Sequence, residues 1–205
     1  MIRELAAGLS LAIALPAAAG ERVSLGTWNM EWMMTPATFD ALAPKCFGEG
    51  RRAGGGDRAI PCNVVKNGRW SEADLARLRD FAAQASVDVS ALQETDGRGV
   101  ASAVFPDREF CFTKRKHVQN VGFAIRRGLP YKCNTDYYPL GLEDNDVRWG
   151  ADLTLFPGSK QEMRLLAIHL KSGCNRDPLT DPRKECHTLQ SQVPVLEAWI
   201  DKRAN

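Results

Sequence analysis

Val87-Asp88-Val89-Ser90-Ala91-Leu92-Gln93-Glu94-Thr95 is a run with apolar residues up to Leu92 and a carboxylate near its end, at Glu94. Val87, Val89, Ala91 and Leu92 make residues 87–93 a buried strand. Glu94 closes that strand with a carboxylate at the C-terminal edge of a sheet, where ligands gather in open α/β sheets. Immediately upstream, Ser71 with Asp74 three residues on forms a capping-box-like helix start. Leu75, Leu78, Phe81 and Ala82 follow at helical spacing and form one buried face.

Working outward, residues 21–30 alternate as a strand, with Val23, Leu25 and the Trp28 ring on its pattern. Residues 35–70 are rich in Gly, Pro and Arg and read as an irregular surface insertion. Further strands are expected at 110–113, 121–125, 148–156 and 163–170, the last two joined by a turn at 157–160. These supply roughly one sheet and little of a second. A final helix over 186–202 carries Leu189, Val193, Leu196 and Ile200 on its apolar face, with Pro194 as a kink or break.

The N-terminus reads as a targeting signal spanning 1–19. Arg3 supplies the positive charge, and Ala17-Ala18-Ala19 supplies an A-x-A cleavage site. The apolar run between them is about 10 residues, against the roughly 20 a spanning helix needs. An uncleaved anchor is the rival reading. A leader of this kind makes the chain secreted or periplasmic, without stable membrane insertion. The six cysteines then read as disulfides. Pairing neighbours along the chain, Cys46–Cys62, Cys111–Cys133 and Cys174–Cys186, would staple one loop or hairpin each. Zinc is the alternative, but no C-x-x-C or Cys/His cluster has ligand spacing. The net charge of +2 argues against a protein that holds nucleic acid by phosphate neutralisation alone.

Five side chains are candidates for chemistry. Glu94 offers carboxylate oxygens to a hard divalent cation; by position alone it is also an ordinary solvated strand end. Asn29 and Glu31 follow the first strand. The Asn29 amide can donate to a phosphate oxygen and Glu31 can join Glu94 near a cation, or the pair can simply lead a turn. His169 interrupts the apolar run Leu165-Leu166-Ala167-Ile168 and is followed by Lys171 and Ser172. It is either a satisfied core histidine or a donor to a developing phosphorane oxygen. A Ser-His-Asp hydrolase is disfavoured because no G-x-S-x-G elbow exists. Arg148 opens a strand and can clamp a phosphate or pair with Asp144 or Asp146. His117 and His187 read as solvated; the basic run Lys114-Arg115-Lys116 is either a solvated hairpin tip or a patch that attracts a polyanion.

Three segments taken in order, Thr27-Trp28-Asn29, Ala91-Leu92-Gln93-Glu94 and His169-Leu170-Lys171-Ser172-Gly173-Cys174, resemble the endonuclease/exonuclease/phosphatase superfamily. Its members include pancreatic-type deoxyribonucleases, apurinic endonucleases, sphingomyelinases and inositol polyphosphate phosphatases. The L-Q-E motif is the most specific of the three, and the cysteine-bearing histidine segment is similar to secreted bacterial members. The resemblance implies the N-terminal part of a four-layer α/β-β/α sandwich with mainly antiparallel sheet. It implies Mg²⁺, or Mn²⁺ or Ca²⁺, on Glu94 with a weaker role for Glu31. Asn29 would hold the scissile phosphate or attacking water, His169 would stabilise phosphorane charge, and Arg148 would sit near the phosphate. The substrate would be a phosphoester such as DNA, RNA, a phospholipid headgroup or a phosphoinositide.

The resemblance also implies a later G-D-x-N segment and an Asp-His pair, and residues 20–205 hold neither. The expectation is therefore a C-terminally incomplete domain with impaired hydrolysis, open to completion by a second chain. The rival is a non-catalytic secreted remnant or phosphate-binding interaction module.

Overall fold

The computed structural model describes residues 22–46, 52–55, 58–142, 147–174 and 176–204. The leader expected at 1–19 lies outside them, as do Asp144 and Asp146. The chain is mixed α/β, built on one mixed four-stranded sheet and a second, antiparallel sheet of three strands.

In the first sheet the order is β1 (Leu25–Met33), β4 (Val89–Thr95), β6 (Asn120–Arg126) and β5 (Arg108–Phe112). β1 and β4 run parallel, which requires a crossover, and the other pairings are antiparallel. The crossover ends in α3 (Glu72–Ala85). Its start is set as the sequence indicates: Ser71 Oγ accepts from the Asp74 N–H, and the Asp74 carboxylate accepts from the Ser71 N–H. Leu75 is buried, and Leu78 and Ala82 pack beside it. Phe81 departs from the expected stripe. It is exposed and meets Trp28 edge-on, with ring centroids 5.2 Å apart. α4 (Arg98–Val104) had no sequence signal; Val100, Ala101 and Val104 complete this helical core with Leu92 and Ala124.

The opposite face of the sheet is also covered, which corrects the expectation of a single sheet. β7 (Tyr131–Cys133), β8 (Ala151–Leu155) and β9 (Met163–Ala167) pair in that order. Their inward residues Leu153, Leu155 and Ala167 pack with Val89, Val121, Phe123 and Ile125 of the first sheet. Each fully buried Val, Leu, Ile or Phe among them contributes about 1.5–3 kcal/mol. β9 ends at Ala167, and β8 starts at Ala151, so both His169 and Arg148 fall in connections rather than inside strands.

α5 (Lys184–Ala204) runs through Pro194 without a break. It is rotated from the expected apolar face: Cys186, Gln192 and Trp199 are buried, whereas Ile200 is exposed. The 35–70 insertion is not irregular. It holds α1 (Pro36–Leu42), a 3-10 turn at Ala43–Cys46, a hairpin of β2 (Arg52–Gly55) with β3 (Arg58–Pro61), and α2 (Cys62–Lys66). Met34, Leu42 and Ile60 form its own small core together with Val118 from the β5–β6 loop.

The three disulfides pair as neighbours, with Cα atoms 5.5, 5.7 and 5.0 Å apart in chain order. Cys111–Cys133 does more than staple a hairpin. It ties β5 of one sheet to β7 of the other. At the far end of the first sheet, Asp88 gathers the strand starts. Its carboxylate accepts from Ser24 N and Oγ at 2.8 and 2.7 Å and from Arg126 Nε at 2.6 Å. The Ser24 hydrogen bonds, with Arg126 beside them, hold this carboxyl down at about 2.

Two outcomes follow. Replacing Cys111 and Cys133 together by Ser should cost roughly 2–4 kcal/mol in urea unfolding. Asp88→Asn should cost roughly 1–3 kcal/mol at pH 7. A depressed carboxyl stabilises the fold above its ordinary 3.8, so the Asp88→Asn deficit should narrow as pH falls from there toward about 2. A deficit that stays constant through that window would contradict the assignment.

Candidate active site

The site begins with an irregularity in the sheet. β1 and β4 stay in register from Leu25↔Val89 to Asn29↔Gln93, and pairing resumes at Met33↔Thr95. Met30, Glu31 and Trp32 thus stand opposite Glu94 alone. β4 also slips against β6 between Leu92 and Thr95. Glu31, Trp32 and Glu94 all adopt left-handed backbone, with φ of 46°, 55° and 55°. None is a glycine, and each costs about 1–3 kcal/mol. Bulges of this kind re-aim side chains at sheet edges. The distortion is held by its surroundings: Met30, Met33 and Thr95 are buried, Asn29 Oδ1 accepts from the Glu31 N–H at 3.0 Å, and Asp96 N donates to Met33 O at 2.8 Å.

From this bulge Glu94 meets His169, which lies just past the end of β9. Glu94 Oε1 and His169 Nε2 are 3.4 Å apart, with side chains only 15% and 18% exposed. The contact is longer than a good hydrogen bond, and catalytic pairs are often loose before a ligand enters. His169 Nδ1 is buried and has no hydrogen-bond partner among the described residues. Burial, then the Arg148 charge, push the imidazole down to about 4, against a smaller opposing pull from Glu94. The ring is therefore neutral at pH 7, and its contact with Glu94 is not a full ion pair.

Arg148 holds the His169 segment in place. Nε donates to His169 O, Nη2 to Leu170 O and Nη1 to Gln119 Oε1, each at 2.7 Å. Three of its donors are thus committed to the protein, and a free bidentate clamp on phosphate is not the arrangement seen. Burial lowers Arg148 to about 10, with Glu94 opposing the shift and Arg115 adding to it. It remains a cation at neutral pH. From the other side, buried Gln192 of α5 accepts from Lys171 N at 2.8 Å and donates to Leu140 O at 2.8 Å. Gly173 then turns the chain with φ of 100°, where a Cβ would lie 2.8 Å from Glu185 Cγ.

Glu94, His169 and Arg148 are thus brought together, and Asn29 lies beside Gln93 on the neighbouring strand. Asn29 and Glu31 are both exposed, and Glu31 makes no described side-chain contact with Glu94. Gln119 and Gln192 complete the surroundings with no sequence signal of their own, and Arg115 joins them from the basic run at 114–116. The basic loop 114–116 is drawn into the site's field through Arg115 rather than standing as a remote hairpin tip. Among the described residues no three His, Cys, Asp or Glu side chains form a metal cluster. The donor set still fits a hard cation, because Mg²⁺ usually takes one or two carboxylates and fills its shell with water and substrate oxygens.

The imidazole resonances of His169 should titrate near pH 4 rather than 6.5. Glu94→Gln should lower that midpoint further. Because the folded value lies below the unfolded one, the neutral ring stabilises the fold above about pH 6.5 and loses this contribution as pH falls toward 4. A titration midpoint near 6.5 would show that the ring is solvated. No family model, curated protein or solved structure matches the chain, so its chemistry is argued from these side chains.

Proposed function

We propose that the chain carries a divalent-metal-dependent phosphoesterase site of the endonuclease/exonuclease/phosphatase kind, hydrolysing a phosphodiester or phosphomonoester by attack of water. The observation that carries this reading is the Glu94–His169 contact, made by residues 75 positions apart across two sheets and aimed by a strained bulge. Mg²⁺, Mn²⁺ or Ca²⁺ would be held by Glu94, with Glu31 as a second carboxylate within the same strand-end region, and would neutralise charge on a phosphoryl oxygen. The Asn29 amide nitrogen is available to orient substrate, since its oxygen is taken by Glu31 N. His169 acts as a neutral N–H donor toward the oxygen where negative charge develops, a role that suits a depressed imidazole. Arg148 contributes a fixed positive field and positions His169 through its backbone carbonyl. DNA and RNA are among the phosphoesters this chemistry admits.

We further infer that the layers belong to a four-layer α/β-β/α sandwich. In support, α3 and α4 back the first sheet, the two sheets share a core, and Trp199 of α5 bonds Asp152 on the second. A secreted or periplasmic location is supported by the three disulfides. Among the described residues no helix is long and apolar enough to cross a membrane.

A phosphate-binding module without turnover is the second reading. It is favoured by the commitment of Arg148 to protein carbonyls and by the small number of acidic ligands. The two separate on one assay. The purified chain should hydrolyse bis(p-nitrophenyl) phosphate or DNA slowly with Mg²⁺ and not in EDTA, and Glu94→Gln or His169→Ala should cost about 100-fold or more. Phosphate binding that shifts the His169 resonances without any turnover selects the module. Turnover that survives EDTA or Glu94→Gln sinks the proposed site.

A further inference from the structure

The outer face of the second sheet carries a cleft of about 630 Å³ that the Glu94–His169 site does not use. Strand register builds its floor. Lys132 pairs with Thr154, and Thr154 with Arg164, so these three side chains form one row across β7, β8 and β9. Side chains alternate along each strand, and the neighbouring residues Tyr131, Leu153, Leu155 and Leu165 pack in the core between the sheets. The C-terminal turns of α5 supply the wall through Trp199, Lys202 and Arg203.

A buried carboxylate fixes the cationic groups. Asp152 accepts from Trp199 Nε1 at 2.8 Å, from Asn134 Nδ2 at 2.8 Å, from Arg164 Nη2 at 2.7 Å and from Arg203 Nη2 at 3.2 Å. Arg203 also lies over the Trp199 ring, 4.1 Å from its centroid. One carboxylate therefore serves two guanidinium groups, and a net positive charge remains. Lys132 and Lys202 add two more cations and make no ion pair among the described residues. The lining also holds Asp136, whose carboxylate accepts from the Lys114 N–H at 2.7 Å. Four cations against two carboxylates leave the cleft electropositive.

Donors are left over as well as charge. Arg203 Nε is buried without a hydrogen-bond partner. An unmet buried donor is costly, and an oxyanion would meet it. Arg164 directs Nε and Nη2 at Asp152, and no described bond uses its Nη1. Guanidinium groups oriented by a carboxylate and flanked by flexible lysines suit a ligand with several acceptor oxygens.

We propose that this cleft binds a small phosphate-class oxyanion, such as a phosphomonoester, through Lys132, Arg164, Lys202 and Arg203. Its volume falls in the range of small-molecule sites, about 300–1,000 Å³, so the ligand extends beyond the phosphoryl group. The proposal stands apart from the hydrolytic reading, because its residues come from other elements and none contacts Glu94 or His169.

The full chain is titrated with inorganic phosphate while the Trp199 indole N–H resonance is followed, identified by its loss in Trp199→Phe. The expected result is a saturable shift that sodium chloride at equal ionic strength does not reproduce. Lys132→Ala with Lys202→Ala should weaken this binding roughly tenfold and leave the thermal midpoint unchanged, since both lysines are exposed and make no ion pair among the described residues. His169→Ala should leave it unaltered, which separates it from phosphate binding at the hydrolytic site. A shift matched by chloride, no saturable shift, or an affinity unchanged in the double lysine variant would overturn the proposal.

Discussion

Apolar packing between the two sheets is the constraint on which the rest depends. Val89, Phe123 and Ile125 from one sheet meet Leu153, Leu155 and Ala167 from the other, and the Cys111–Cys133 bond crosses the same gap. Only with the sheets face to face does the end of β9 reach the end of β4. Glu94 and His169 are then neighbours because β4 and β9 are stacked, not because anything local pairs them. Interiors are close-packed, so a shift of either sheet would be transmitted directly to this contact.

Polar groups beside such a core are expensive, and those at the end of β4 are tightly held. There Glu94, His169 and Arg148 are held by backbone groups as much as by one another. Arg148 is fastened to two carbonyls and Gln119, and Gln192 fastens the following residue. The strained Glu31, Trp32 and Glu94 sit at the same edge. The buried Met30, Met33 and Thr95 keep this distortion in place, and it fixes where the Glu94 carboxylate points.

The insertion at 35–70 joins this arrangement through packing. Its small core includes Val118, next to Gln119, which in turn bonds Arg148. A continuous line of contacts thus runs from the Cys46–Cys62 staple to His169. On the opposite face of the second sheet, Asp152 plays a similar organising part for Arg164, Arg203 and Trp199. In each place a buried polar residue sets the direction of longer side chains around it.

Local rules in the sequence determined much of this. The Ser71–Asp74 cap, the strands around Leu92, Phe123 and Leu153 and the neighbouring cysteine pairs were legible, because caps, periodicity and short loops are properties of contiguous residues; Asn29, Glu94, His169 and Arg148 stood out only as polar groups near strand ends and through the family resemblance. The elements of the insertion and α4 were not, since short helices and Gly-rich hairpins carry weak periodic signals. The buried stripe of α5 differs from the expected one because a polar residue, Gln192, occupies it, and only the carbonyl and N–H it meets make its burial acceptable. That a second sheet covers the first, that left-handed backbone at Glu94 brings it to His169, and that Arg148 is spent on carbonyls rather than left free were decided by tertiary structure alone. Each depends on which groups approach across the fold, and spacing along the chain holds no record of that.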